Sequence, residues 1–275
     1  MLGQALMAEA RGGGGDPVGV ARAGADICFD IGDSHALRRA LSETAPQVVI
    51  NAAALTNLEQ CERKPAVAWK INAHAVGVMA EACRETRTRF VHLSTDHYYT
   101  GDGVLLHDEA APVTLVNEYA RSKHAAEALA LHHPEALVVR TNIAGWRGWP
   151  GRPTFLEWLV SAIETDRPIT LFSDYYTSTL DARTCAAHVL RLIDLSATGI
   201  LNVAARDVAS KEEFAIALAQ ALGLNLKQTT RGNVRELQPR RAESLGLDVS
   251  HAERLLGLTL PNTRQVITNL LAARH

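Results

Sequence analysis

Apolar and polar positions alternate in blocks through the first half of the chain. "PVGVARA" (17–23) reads as a strand and "ICFDI" (27–31) as a short second one. "SHALRRALSETA" (34–45) carries apolar residues at helical spacing, with Ser34 as its expected N-cap. "QVVINAAA" (47–54) is a continuous apolar run, the pattern of a strand buried on both faces. A helical stretch follows over 66–86, and Pro65 suits its start. Strand "RFVHLST" (89–95), a loop, helix "NEYARSKHAAEALAL" (117–131) and strand "ALVVRTN" (136–142) complete this half. Such alternation predicts βαβ units and an α/β fold on a parallel sheet.

The second half is less regular. "GWRGWPGRP" (145–153) is a loop rich in Gly, Pro and Trp. Helical stretches are expected over 154–166 and 181–195, and strand-like ones over 168–174 and 199–205. "SKEEFAIALAQAL" (210–222) opens with a capping box, Ser210 to Glu213. No linker separates two autonomous domains. The expected division is a sheet-forming region over 1–145 and, over 146–275, a smaller lobe laid against the sheet, with some segments returning to it.

Composition narrows the class. The chain has 275 residues, enough for a sizeable core, with 47% apolar and 21% charged residues. A net charge of −2 argues against a broad nucleic-acid surface. Cys28, Cys61, Cys83 and Cys185 show no CxxC spacing and read as reduced thiols of a cytosolic protein. No apolar run approaches the roughly 20 residues of a membrane span, and the start does not read as a signal peptide. The histidines are dispersed, and "LHH" (131–133) reads as a surface pair, so no metal site is expected.

The strongest chemical signal is "STD" (94–96) at a strand end, followed by "YARSK" (119–123). Tyr119 and Lys123 are spaced i, i+4, which puts them on one helix face about 5–6 Å apart at Cβ. A phenol titrates near pH 10, and a neighbouring ammonium lowers that value. Thr95 falls at the C-terminal end of its strand, where open α/β sheets bind ligands. These parts suit carbonyl reduction: Tyr119 donates a proton, Lys123 tunes it and Thr95 orients the carbonyl. His97 is expected as a loop or pocket-wall residue and not as a proton carrier, and Trp146, Arg147 and Trp149 in loop packing or against substrate or a partner subunit.

An ordered set of segments resembles a known family. "FDIGD" (29–33), "VVINAAALTNLEQCE" (48–62), "KINAHAVGVMAEAC" (70–83), "VHLSTD" (91–96), "NEYARSKHAAE" (117–127) and "VVRTNIAG" (138–145) occur in the order found in extended short-chain dehydrogenases/reductases of the dTDP-4-dehydrorhamnose reductase type. "GILNVAA" (199–205) and "PRRAESLGLDVSHAERLLG" (239–257) extend the resemblance over nearly the whole chain. It implies a Rossmann-like doubly wound sheet and reduction of a 4-keto-6-deoxy sugar nucleotide with NADPH or NADH. It places Thr95, Tyr119 and Lys123 in the catalytic trio. It places Gly3, Arg22, Asp30, Ile31, Asn51, Ala52, Ala53, Ala54 and Lys123 beside the dinucleotide, and Thr95, Asp96, Tyr99 and Asn142 beside the sugar. Arg22 would meet an adenosine 2′-phosphate, favouring NADP. Dimers are an expectation by association only.

Two features depart from the family pattern. "HYYTG" (97–101) stands where many members have Tyr-Val-Phe-Asp-Gly, and "SDYYTSTL" (173–180) replaces a pocket segment, which leaves the sugar open. Relatives also carry a strand and a Gly-x-x-Gly-x-x-Gly turn before the first helix, and here only Gly3 corresponds. The expectation is a sheet without its first, central strand, with the recorded start downstream of the natural one. Its neighbours would then stand about 9–10 Å apart. The rival expectation is a non-catalytic regulatory or scaffolding subunit of the same fold, as in the regulatory subunit of methionine adenosyltransferase.

Overall fold

The computed structural model describes residues 1–149 and 151–274. The first half runs α1 (Leu2–Gly12), β1 (Val20–Ala21), β2 (Ile27–Cys28), α2 (Ser34–Thr44), β3 (Val48–Asn51), α3 (Leu58–Arg63), α4 (Pro65–Trp69), a π-helical turn (Lys70–His74), α5 (Ala75–Thr86), β4 (Arg89–Leu93), β5 (Leu106–His107), α6 (Glu118–Ala130) and β6 (Leu137–Arg140). The second half runs β7 (Ile143–Ala144), α7 (Phe155–Glu164), β8 (Ile169–Leu171), β9 (Tyr176–Thr177), β10 (Leu180–Asp181), α8 (Ala182–Asp194), β11 (Gly199–Asn202), β12 (Ala209–Ser210), α9 (Lys211–Ala221), β13 (Thr229–Arg231), β14 (Ser244–Leu247), α10 (Ser250–Leu256) and α11 (Thr263–Ala272).

The main sheet is parallel in the order β11-β6-β4-β3. Strands β1 and β2 form a separate parallel pair. The alternating pattern therefore gives the parallel, Rossmann-like α/β architecture, with its strands in two hydrogen-bonded groups. β3 is the outer strand of its group, and its Val48, Val49 and Ile50 are only half-buried. The apolar run suggests burial on both faces; with a strand on one side alone, it stays partly open. β1 is shorter than the strand read from 17–23, and both its residues are exposed.

Side-chain alternation along β4 and β6 sorts the two faces. Val91, Leu93, Leu137 and Val139 join a large core with α1, α7, α8, α9 and α11. Phe90 and Val138 face the other way, into a second core with α2, α5 and α6. Burial removes Phe90, Val91, Leu137, Val138 and Val139 from water entirely. At about 25 cal/mol per Å² of apolar surface, each contributes roughly 1.5–3 kcal/mol. Polar His92 and Arg140 occupy positions on the second face, and each meets a polar residue of α6.

Helix starts follow local chemistry. The Ser210–Glu213 capping box is present, and Thr154–Glu157 and Asn262–Gln265 form two more. The cap of α2 differs from the expected Ser34: Asp33 accepts the His35 and Ala36 N–H groups. A carboxylate also complements the helix dipole better than a hydroxyl. Outside the main sheet stand a mixed sheet, β12-β9-β14-β5, and the parallel pairs β13-β8 and β10-β7, with β5 and β7 supplied by the first half of the chain. Gly246 is required where β14 meets β5, because a Cβ there would lie 2.4 Å from the Leu105 carbonyl oxygen. The large core spans both halves, from Leu2 to Leu270.

Candidate active site

A cavity of about 470 Å³ opens at the C-terminal ends of β3, β4 and β6. It is lined by the segment Leu93–His97, by Tyr119 and Lys123 of α6, and by Thr141–Ile143 after β6. Ala52 and Ala54 form its wall after β3, and Leu2 closes it from α1. The lobe adds Tyr175 and Arg241.

Asn117 caps α6 by accepting the Ala120 N–H at 2.8 Å, and its own side chain donates to the Arg240 carbonyl. This cap fixes where the helix begins, and so places Tyr119 in its first turn. Tyr119 is 8% exposed and Thr95 4%. Burial pushes the Tyr119 phenol up to about 12, and the Thr95 hydroxyl partly offsets this. The phenol is thus a stored proton at neutral pH.

Lys123 is 1% exposed. Its Nζ donates to the Leu93 carbonyl at 2.7 Å and lies 3.1 Å from His92 Nε2. Burial pushes this lysine down to about 7, while the Glu127 charge pulls the other way. Asp96 is buried and accepts the Asn142 amide at 2.6 Å. Burial raises its carboxyl, and the Asn142 hydrogen bond and the Lys211 charge oppose that. Lys211, over the Phe155 and Tyr175 rings at 4.8 and 5.7 Å, is lowered by burial and raised by Asp96.

The structure brings Thr95, Asp96, Tyr119, Lys123, Asn142, Ala52 and Ala54 together in one cavity. Asn51 lies behind the wall, bonded to His92 and to the Ala53 N–H. Gly3 is exposed on α1, next to Leu2, which lines the cavity instead. Arg22 is exposed directly after β1. Asp30 is exposed and accepts the Gly32 N–H at 2.9 Å, whereas Ile31 packs into the second core. Tyr99, expected beside substrate, is not among the residues that line the cavity: it is buried, its hydroxyl accepts from Arg140 at 2.9 Å, and it stacks on His107. Trp146 donates to the Leu270 carbonyl at 2.7 Å, which fits loop packing.

Sequence reasoning gave no chemistry to Lys211, Arg241 or His92. His97 does stand in the pocket wall, and its Nδ1 and the Arg241 Nε are buried without a partner. Such polar atoms await a hydrogen-bonding ligand or water. Among the described residues, no cluster could hold a metal ion and no helix is long and apolar enough to cross a membrane.

A Rossmann-like sheet ending in a Thr, Tyr and Lys cavity defines an extended short-chain dehydrogenase/reductase, a class of oxidoreductases. Residues 1–275 match the family described as "RmlD substrate binding domain", and the chain belongs to it. It is 30% identical to the dTDP-4-dehydrorhamnose reductase of Mycolicibacterium smegmatis over 252 residues, 89% of this chain and 75% of that one. It is 29% identical over 252 residues to the "Probable low-salt glycan biosynthesis reductase" of Haloferax volcanii, 89% of this chain and 83% of that one. A crystal structure of dTDP-4-dehydrorhamnose reductase from Bacillus anthracis in complex with NADP shares the fold, with a TM-score of 0.80 and 22% identity over 89% of this chain and 86% of that one.

Proposed function

We propose that this protein reduces the 4-keto group of a 6-deoxy sugar linked to a nucleoside diphosphate, with dTDP-4-dehydrorhamnose as the first substrate to test and dTDP-rhamnose as its product. The observation that carries this is the buried Tyr119 phenol, which lines one cavity with Thr95 and Lys123 at the C-terminal end of β4. The names of the relatives from M. smegmatis and H. volcanii support the reaction class.

The donor set fits a nicotinamide dinucleotide. Ala52 and Ala54 present small side chains to the cavity, which lets a flat ring approach the backbone. Ala53, Asn51 and Lys123 would stand along the nicotinamide end. Arg22, Asp30 and Ile31 would stand toward the adenosine, and Gly3 toward the pyrophosphate. The NADP in the Bacillus anthracis structure supports NADPH, with NADH as the other candidate. When bound, the reduced dinucleotide supplies the hydride that forms the new C–H bond.

The chain's own residues handle the oxygen. The Thr95 hydroxyl and the Tyr119 phenol donate to the carbonyl oxygen and orient it. As negative charge develops there, Tyr119 passes its proton to that oxygen, and a charged Lys123 one turn along stabilises the phenolate left behind. Asp96 and Asn142, already paired, stand ready to meet sugar hydroxyls.

The test is binding followed by turnover. Saturable quenching or enhancement of NADPH fluorescence by the 275-residue chain, followed by NADPH oxidation with dTDP-4-dehydrorhamnose, supports the reading. Binding without oxidation of any 4-keto sugar nucleotide moves it to the regulatory alternative.

A further inference from the structure

The Ala53 backbone N–H donates to Asn51 Oδ1 at 3.1 Å. A backbone amide is a donor in every state, so it fixes which way the Asn51 carboxamide points. The amide nitrogen, Nδ2, then faces His92 Nδ1 at 3.1 Å. A neutral imidazole carries one ring proton, and a donor facing Nδ1 leaves that proton on Nε2. Nε2 lies 3.1 Å from Lys123 Nζ. An Nε2–H group needs an acceptor there, and only the uncharged amine has a lone pair. One of the amine's two hydrogens goes to the Leu93 carbonyl at 2.7 Å.

We propose that Asn51 and His92 are positioning residues for Lys123: the chain from the Ala53 N–H through Asn51 and His92 holds Lys123 as a neutral amine and ties its charging to the turn over 51–54. Adding one proton to give the ammonium requires His92 Nε2 to become an acceptor and the ring's proton to sit on Nδ1. Asn51 must then turn its oxygen toward His92 and release the Ala53 N–H. Ala52 and Ala54 of that turn line the cavity. A ligand that takes the Ala53 N–H frees Asn51 to turn, and so favours the charged lysine. The resting site and the loaded site thus hold Lys123 in different protonation states.

Other groups around Lys123 leave this chain intact. Glu127, on the same helix, favours the charged form but is paired with Arg140 of β6. Asn72 of the π-helical turn is neutral and bonds Ser122. Cys61 of α3 packs against Tyr119. His92 is fully buried, and burial is the main cause that holds it well below the ordinary imidazole range; charging Lys123 would lower it further.

The proposal rests on the reductase reading for its consequence, and the test separates the two. Histidine-labelled ¹⁵N spectra of the full chain at about pH 8 report each ring's tautomer, with His92 assigned by its loss in His92→Gln. The expected result is protonated Nε2 and bare Nδ1. A protonated Nδ1, or an imidazolium, overturns the proposal whether or not the chain reduces anything. In Asn51→Asp, a carboxylate accepts both the Ala53 N–H and a ring N–H, so the tautomer should invert. The limb of the kcat/KM pH profile set by Lys123 should then move up by about one unit or more, because the charged lysine is favoured. An unchanged tautomer and limb in that variant also overturn it. If the variant does not fold, the wild-type spectrum decides alone. Absence of wild-type turnover counts against the reductase reading and leaves the spectrum to judge the chain.

Discussion

The His97 ring stands at 89° to the Tyr119 ring, with centroids 5.6 Å apart. Burial, with the charges of Lys211 and Arg241, pushes this imidazole down to about 4. An unfolded histidine titrates near 6.5. The folded chain therefore binds fewer protons between these values, and the stability this group supports is complete above about pH 6.5 and lost as pH falls toward 4. The full effect is roughly 3 kcal/mol. In His97→Phe, the fall in melting temperature over that window should become shallower. It should not vanish, since His92 acts in the same direction. An unchanged slope would show that His97 is not held neutral.

Tyr119→Phe removes the proton donor and leaves the ring in its place. The expected loss in kcat/KM is about 10²–10⁴-fold, the usual range for a general acid. NADPH affinity should stay within a few-fold, since the phenol donates to the sugar oxygen. Thr95→Val should lower the same constant by a smaller factor. Turnover that survives Tyr119→Phe unchanged would reject the mechanism.

The legible part of this site was local. Tyr119 and Lys123 are one helical turn apart, so spacing alone put them on one face; Thr95 follows a strand whose apolar run is visible, and its position after that strand, with the family resemblance, joined it to them. The strands were legible for the same reason, most clearly β4 and β6, each of which follows a helix. Arg241 lines the cavity, and Lys211 comes close enough for its charge to act on Asp96, only because the second half of the chain folds back over the site, and no periodicity encodes that. Tyr99 keeps the family's aromatic ring, yet its hydroxyl, on the loop after β4, is taken by Arg140 of β6. His92 looks like one polar residue in an apolar strand. Its role depends on a partner 31 residues away, on α6.

Thiol reactivity gives an independent check of the packing. Cys28 is exposed, whereas Cys61, Cys83 and Cys185 are buried. Burial pushes Cys61 up to about 11, and Cys83 and Cys185 to about 12. The thiolate is the reactive form, so the native protein should titrate one fast thiol with a disulfide reagent at about pH 8. In denaturant, all four should react. Two or more fast thiols in the native state would contradict the cores around α3, α5 or α8.

Among the described residues, Arg140 and Glu127 form an ion pair with both side chains buried. Their side chains are 4% and 3% exposed, and Arg140 Nη2 donates to Glu127 Oε2 at 2.8 Å. Arg140 Nε donates to both carboxylate oxygens, Ser94 donates to Oε1, and Arg140 also reaches the Tyr99 hydroxyl. Arg140→Met strands a carboxylate in the core, so urea unfolding should show a loss of about 3–5 kcal/mol. The double variant Glu127→Leu with Arg140→Met removes both charges and should lose less than the two single losses added. The same carboxylate favours the charged form of Lys123. Glu127→Gln should therefore move the lysine's titration lower, and move the corresponding limb of the activity profile with it. Additive single losses would mean that the pair contributes nothing as a pair, and that Glu127 acts on Lys123 alone.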